Sequence, residues 1–239
     1  MINVTVWSEN FQERNDEAVK AVYPNGIYGC IAEFLGEDKN LNVRTATLDM
    51  PDAGLPEEVL ETTDVLIWWA HCKHDDVDDE LAARIAKRVG AGMGVVFLHS
   101  SHFAKPFLRL MGTSGCLKWY EDDEVYERLW CVNPSHPIAK GVDECVFLPH
   151  DEMYGEPFDI PAPDESVFMG WFSTGHLFRS GNVWKRGRGK VFYFQPGHET
   201  FPIYKDPNIV KIIRNAVAYL APAGDIVYPE CPHAAPLEK

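Results

Sequence analysis

The sequence predicts an α/β protein built on an open, doubly wound sheet. Three observations carry this. Residues 64–70 (DVLIWWA) and 94–98 (GVVFL) are short, wholly apolar runs of the kind found in strands buried on both faces of a parallel sheet. Through the first half of the chain such runs alternate with segments whose apolar residues recur at helical spacing. His71, His99, His102 and His198 each fall just past an apolar run, residues 190–195 (KVFYFQ) included. Ligands of open α/β sheets bind outside the carboxyl ends of the strands, so histidines from three separate segments are expected to share one pocket.

The elements follow in order. Residues 2–7 (INVTVW) alternate and are rich in β-branched side chains, which predicts the first strand. Residues 16–35 carry Ala18, Val19, Val22, Ile27, Ile31, Phe34 and Leu35 near helical spacing. Pro24-Asn25-Gly26 interrupts them, so the main helix is expected to begin near Ile27. Residues 42–47 predict the second strand. Residues 55–61 predict a short helix with Pro56 suited to its first turn. After the third strand at 64–70, residues 78–89 place Leu81, Ala82, Ile85 and Val89 on one stripe, with Gly90 as the expected stop. After the fourth strand at 94–98, residues 101–111 predict a helix burying Phe103, Phe107, Leu108 and Met111.

Residues 112–180 are less regular, with strand-like pieces at 127–132, 144–148 and 166–172. They are expected to form an inserted antiparallel layer and active-site loops within the same domain. Residues 183–184 and 190–195 flank Gly187-x-Gly189 and predict a hairpin. Residues 208–220 form a closing amphipathic helix stopped by Pro222. One domain over residues 1–221 is therefore expected. The Pro-rich tail, 222–239, would cross the surface or a neighbouring subunit, and a homo-oligomer is expected.

Composition narrows the function. Acidic residues number 36 and basic residues 22, for a net charge of −14. Nucleic acid and anionic membrane both demand positive patches, so neither is an expected partner. The opening MINVTVWSENF lacks the basic region and apolar core of a secretory signal, and no apolar run approaches the ~20 residues of a membrane span. The expectation is cytoplasmic. The six cysteines form no C-x-x-C pair, so free buried thiols are expected.

Several constellations carry chemistry. His99-Ser100-Ser101-His102 lies between a strand and a helix, where a nucleophile elbow would lift a side chain above the sheet. Ser100 or Ser101 is then a nucleophile or a substrate contact, and the histidines are ligands or bases. The blander alternative makes Ser101 a helix cap. A G-x-S-x-G pattern is missing. Gly197-His198-Glu199 ends a strand between Pro196 and Pro202, and Glu199 would orient His198 or back it as a metal ligand. His71 is the ligand candidate of His71-Cys72-Lys73-His74, with Cys72 read as a buried thiol. Glu152, in His150-Asp151-Glu152-Met153-Tyr154, is a carboxylate ligand, a general base or a solvated loop acid. Several histidines with one carboxylate suit zinc or another transition metal. Aromatic residues crowd the middle of the chain, Trp69, Trp119 and Tyr154 among them, and their flat faces suit sugar rings as well as a core. His176 lies in a loop that would line the pocket, and Arg179 opens the only concentrated basic stretch.

The segments LHSSHF, NPSHPIAKGV, DEMYGEPFDIP, FRSGNVWKRGRGKVFYFQPGHETFP and the closing helix resemble the ThuA-like family, named for trehalose utilization. The resemblance covers about residues 1–221. It implies the class I glutamine amidotransferase-like fold, a flavodoxin-like three-layer sandwich with a central, mostly parallel sheet. It places the LHSS turn where the amidotransferases carry their nucleophile cysteine, and GHE near their catalytic histidine and glutamate. This chain has no cysteine at the turn, and its His198 and Glu199 are adjacent. The family's link to catabolism of trehalose and related glucosides through 3-keto sugars implies a sugar substrate. His99, Glu152 and His198 carry over from the motifs, and His71 matches less closely.

The resulting expectation is a hydrolase, lyase or isomerase of sugar catabolism acting on a disaccharide or keto-sugar. Its divalent metal, zinc by donor type, would be held by members of the set His71, His99, His102, Glu152 and His198. His99, Ser100, Glu152 and His198 are the catalytic candidates. Trp69, Tyr154, His176 and Arg179 are the substrate-binding candidates. Two alternatives stand beside it: a metal-free hydrolase using Ser100 and His198, and a non-catalytic sugar-binding or regulatory protein.

Overall fold

In the computed structural model, which describes residues 1–238, eleven strands and seven α-helices form a three-layer α/β/α sandwich. The strands are β1 (Ile2–Ser8), β2 (Leu41–Thr47), β3 (Val65–Trp69), β4 (Gly94–Leu98), β5 (Lys118–Tyr120), β6 (Glu127–Cys131), β7 (Cys145–Leu148), β8 (Met153–Gly155), β9 (Glu165–Phe172), β10 (Leu177–Arg186) and β11 (Gly189–Phe194). The helices are α1 (Gln12–Asn15), α2 (Glu17–Val22), α3 (Gly26–Gly36), α4 (Glu57–Glu61), α5 (Asp79–Ala91), α6 (Lys105–Met111) and α7 (Pro207–Leu220). Nine strands make one sheet in the order β2-β1-β3-β4-β11-β10-β9-β6-β7. Pairing is parallel from β2 to β11 and antiparallel from β11 to β7.

Alternation along the central strands builds two cores, because successive side chains of a strand point to opposite faces. Val65, Ile67 and Trp69 of β3 join Val96, Leu98, Phe192 and Phe194 under α3 and α7. Leu66 and Trp68 join Val95, Phe97 and Tyr193 under α5 and α6. Each fully buried aliphatic or aromatic side chain contributes roughly 1.5–3 kcal/mol, so these strands are the rigid part of the molecule. Trp7 stacks on Trp68 with ring centroids 3.6 Å apart. Asp78 caps α5 and Asp206 caps α7 through backbone N–H groups of the first turn.

Several expectations change. Residues 112–180 do not form a separate layer: β6, β7, β9 and the start of β10 extend the central sheet. The tight β10–β11 hairpin presents a free β10 edge in the sheet plane, and β9 pairs along it. Only β5 and β8 stand apart, as a two-stranded ribbon. Helix α5 runs through Gly90 to Ala91 and ends on Gly92, whose φ of 138° suits glycine. Phe103 belongs to a 3-10 turn before α6, so helical phase does not carry it inward, and it is exposed. The thiols are free, but none is fully buried and Cys72 is exposed. The tail returns over its own chain: Val227 N donates to Ala91 O, and Tyr228 reaches Glu61. Among the described residues, no helix is long and apolar enough to cross a membrane.

Candidate active site

The carboxyl ends of β3, β4 and β11 deliver His71, His99 and His198 to one place. Their ring centroids lie 6.3 Å (His71–His99), 6.1 Å (His71–His198) and 5.6 Å (His99–His198) apart. Each ring is oriented through Nδ1. His99 Nδ1 donates to the Gln195 carbonyl at 2.9 Å, His71 Nδ1 pairs with Glu199 Oε1 at 2.7 Å, and His198 Nδ1 meets Thr200 Oγ1 at 2.8 Å. The three Nε2 atoms are left for other partners.

Local backbone explains these positions. His99 takes φ 52° directly after β4, the left-handed turn of an elbow that turns the chain sharply at the strand end. Gly197 is required before His198: at its φ of 152° a Cβ would sit 2.0 Å from the Tyr204 hydroxyl. The β3 end is held by buried Glu9, whose carboxylate accepts from the backbone N–H groups of His71 (2.8 Å), Cys72 and Lys73 (2.9 Å). Ser101 accepts from Ala70 N and donates to Trp68 O, which ties the elbow to the same strand.

The β7–β8 connection adds carboxylates. Glu152 Oε2 approaches His99 Nε2 at 3.1 Å, yet the two are not aligned as a hydrogen bond. Both atoms, together with Glu199 Oε2, are buried polar atoms without a partner. Buried polar groups are almost always satisfied, so this cluster is built to meet something more than itself. Fully buried Asp151 lies behind it, accepting from Glu152 N at 2.9 Å and His198 N at 3.3 Å.

The environments push the histidines apart. Burial disfavours the charged form of His99, but the Glu152 carboxylate overrides it and holds the imidazole near 9. Burial dominates at His198, lowering it to about 4, and at His102, lowering it to about 3. Glu199 is buried, yet its bond to His71 keeps it ionised, down to about 2, and the same bond raises His71 against its burial. Asp151 is pushed up to about 7 by burial. The cavity beside the cluster measures about 210 Å³ and is lined by His71, Ser100, His102, Phe103, Trp119, Glu121, Glu152 and Tyr154.

The trehalose utilisation family model, ThuA, matches residues 3–220. The chain belongs to the ThuA family. No curated protein matches the sequence. Among solved structures, a ThuA-like protein from Bacteroides uniformis is 14% identical, with a TM-score of 0.62, over 92% of this chain and 91% of that one. A ThuA-like protein from Parabacteroides merdae is 14% identical with a TM-score of 0.63, over 97% and 93%. A cytoplasmic protein from Salmonella typhimurium is 11% identical with a TM-score of 0.61, over 92% and 99%. At these identities the structures share the fold, the flavodoxin-like sandwich of the family.

Within this ThuA fold, not every expected site residue reaches the pocket. His71, His99, His198, Glu152 and Tyr154 are brought together, with Tyr154 stacked on His99 at 5.1 Å between centroids. His102 lines the cavity but gives Nδ1 to the Gly115 carbonyl, on the Tyr154 side and away from the other rings. Ser100 lines it too, yet its hydroxyl donates to Ala70 O at 3.0 Å rather than to a histidine. Trp69 is buried in the α3/α7 core, because β3 is covered on both faces, and its Nε1 donates to Gly197 O. His176 sits on the β9–β10 turn beside Thr174, and Arg179 forks onto Glu156 at 2.7 and 2.9 Å, so neither lines the cavity. Although Cys72 is exposed, partial desolvation of its sulfur together with the adjacent Glu9 carboxylate pushes the thiol up to about 12, which makes it a poor nucleophile. Among the described residues, no three His, Cys, Asp or Glu side chains stand at metal-holding geometry. Sequence reading missed Glu9, Glu121 and the outward turn of Phe103. Glu9 follows the first strand directly, a strand-end signal of the same kind as the histidines.

Proposed function

We propose that this ThuA-family chain is a metal-dependent enzyme of sugar catabolism acting on a disaccharide or keto-sugar in the His99–Glu152–His198 pocket. One observation carries the reading: three histidines from three strand ends have Nδ1 fixed by an oxygen partner and keep Nε2 available beside an unpartnered carboxylate. Fixing the far ring nitrogen in this way is how proteins orient histidine ligands. His71, His99, His198 and Glu152 would hold the ion, with zinc suited to nitrogen and carboxylate donors. The bound ion would supply Lewis acidity toward a carbonyl or a water. Modest closure of the side chains is part of the reading. His102, neutral and with Nδ1–H committed to Gly115, offers Nε2 as an acceptor to a sugar hydroxyl. Glu199 and Thr200 serve by orienting rings. A cytoplasmic location fits the reading, as for the Salmonella relative.

A second, metal-free reading draws on the 3.1 Å approach of His99 to Glu152. There an imidazolium and a carboxylate act as acid and base, with neutral His198 as a hydrogen-bond donor. Elemental analysis of purified protein, with turnover of 3-keto-disaccharides before and after chelation, separates the two. The metal reading expects close to one equivalent of ion per chain and activity lost with it. Full turnover by metal-free protein overturns it in favour of the second.

A further inference from the structure

We propose that Glu127 is a positioning residue of the histidine pocket: it donates its carboxyl hydrogen to Ser180 and so directs a buried hydrogen-bond chain onto Gln195, which holds both His99 and Glu152. The proposal rests on the reading above that this pocket is the active site, and on no particular metal or substrate.

The fold places the three members of the chain together. Glu127 opens β6 and faces inward with Leu129, because side chains alternate along that strand while Arg128 and Trp130 face out. Ser180 lies on β10 where the β9–β10 register slips between Phe178 and Gly181. Such a bulge re-aims a side chain. Gln195 follows β11 directly, and all three residues are fully buried. Gly170 of β9 leaves the room, since a Cβ there would overlap both Glu127 Oε1 and Ser180 Oγ. A glycine inside a strand marks a close approach of this kind.

Counting hydrogens decides which group donates. Ser180 Oγ stands 3.1 Å from Glu127 Oε1 and 3.2 Å from Gln195 Oε1. The Gln195 amide is fixed in direction: its Nε2 stands 3.2 Å from the Glu152 carbonyl oxygen, which can only accept, and 3.5 Å from Asp151 Oδ2. Gln195 Oε1 therefore turns to Ser180 and accepts from it. A hydroxyl has one hydrogen, so Ser180 has none left for Glu127. The 3.1 Å contact is then a hydrogen bond with Glu127 as donor. An ionised Glu127 would set two acceptors against a single hydrogen.

The surroundings favour the neutral acid. Glu127 Oε2 is buried without a partner, and a bare ionised oxygen there costs far more than a neutral carbonyl. Leu148 of β7 and Phe172 of β9 stand opposite Glu127, Ser180 meets it from β10, and Asp151 of the β7–β8 connection is a second buried acid. None of these is a cation. Burial and the Asp151 carboxyl push Glu127 well above the usual carboxylate range.

Gln195 carries the chain into the pocket. Its carbonyl accepts from His99 Nδ1 at 2.9 Å, and its amide donates to the Glu152 carbonyl. One residue thus holds both partners of the 3.1 Å approach of His99 Nε2 to Glu152 Oε2. A misplacement of about 1 Å in such a pair can cost about 10²-fold in rate.

Infrared spectra of wild type and Glu127→Gln, with neither metal nor sugar added, test the donor. Wild type should show the C=O stretch of a protonated carboxylic acid that Glu127→Gln loses, and Ser180→Ala should shift that band. Nitrogen-15 NMR of the imidazoles tests the reach of the chain. Ser180→Ala should move the His99 signals and leave those of His102, whose Nδ1 is held by Gly115. The amide of Glu127→Gln keeps an N–H toward Ser180, so kcat/KM should stay within about threefold of wild type, whereas Ser180→Ala should lose about 10- to 100-fold, mostly in kcat. Ser180→Cys, similar in size and a poor donor, repeats the cut if the alanine variant does not fold. An acid band unchanged by Glu127→Gln overturns the proposal. So do His99 signals unmoved by both Ser180 variants, and so does a loss of activity in Glu127→Gln as large as in Ser180→Ala. Absence of turnover in wild type overturns the functional reading of the pocket instead, and the infrared and NMR results then decide the role of Glu127.

Discussion

The two halves of the central sheet contribute different things to the site. The parallel half, β2 to β11, sends out His71, His99 and His198 from strands buried on both faces. The antiparallel side, through the β7–β8 connection and the β5–β8 ribbon, sends in Glu152, Tyr154, Trp119 and Glu121. The first set is fixed to within a rotamer by packing and by Nδ1 partners. The second set approaches from above, and its outermost members, Trp119 and Glu121, are exposed. The contrast teaches a division of labour: the histidine nitrogens sit on the packed floor, and the Glu152 carboxylate and the exposed Trp119 face arrive on the more exposed roof.

The sharpest way to break this comparison is to remove the floor. On the metal reading, the double variant His99→Ala, His198→Ala should abolish turnover and bring bound metal below about a tenth of an equivalent, since two of the three proposed nitrogen donors are gone. Retained metal with lost turnover would move the ion elsewhere.

Glu152→Gln then tests the link between floor and roof. Turnover should fall about 10²- to 10⁴-fold, because an amide cannot take a proton as a carboxylate does. Metal content measured on the same sample distinguishes the roles: unchanged for a base, reduced for a ligand. Wild-type turnover would make Glu152 structural.

A smaller effect is expected in stability. Gly197→Ala places a methyl group against the Tyr204 hydroxyl in a left-handed backbone and should cost about 1–3 kcal/mol in urea unfolding. A neutral result would mean that the β11 end is softer than the floor picture allows.

The smallest effect separates structural arginine from substrate arginine. Arg179→Ala breaks the fork to Glu156 and should leave kcat/KM within about twofold, with a loss of about 1 kcal/mol in stability for a partly exposed pair. A large rise in KM would return Arg179 to the site.

The positions of the three strand-end histidines were legible because apolar runs and their ends are local signals. The elbow was legible too, from a strand followed at once by His99-Ser100-Ser101-His102. Arg179 was not, because its partner Glu156 lies 23 residues away and nothing local announces the fork. Phe103 was not legible, because helical spacing continues backward into a 3-10 turn, which changes the angular phase of side chains. Trp69 looked like a sugar face because an aromatic at a strand end is ambiguous until the strand's two faces are known.

The sequence by itself determined the alternating α/β plan, the family, and the strand ends at which polar chemistry emerges, since periodicity and turn chemistry act over a few residues. Only the tertiary structure decided which of those polar groups meet. Glu152 reaches His99 across 53 positions of chain, Glu199 reaches His71 across 128, and Trp119 joins Tyr154 through a ribbon that no local pattern encodes. Such pairings are set by how the sheet is ordered and closed over, and that order is a property of the whole packed core rather than of any one segment.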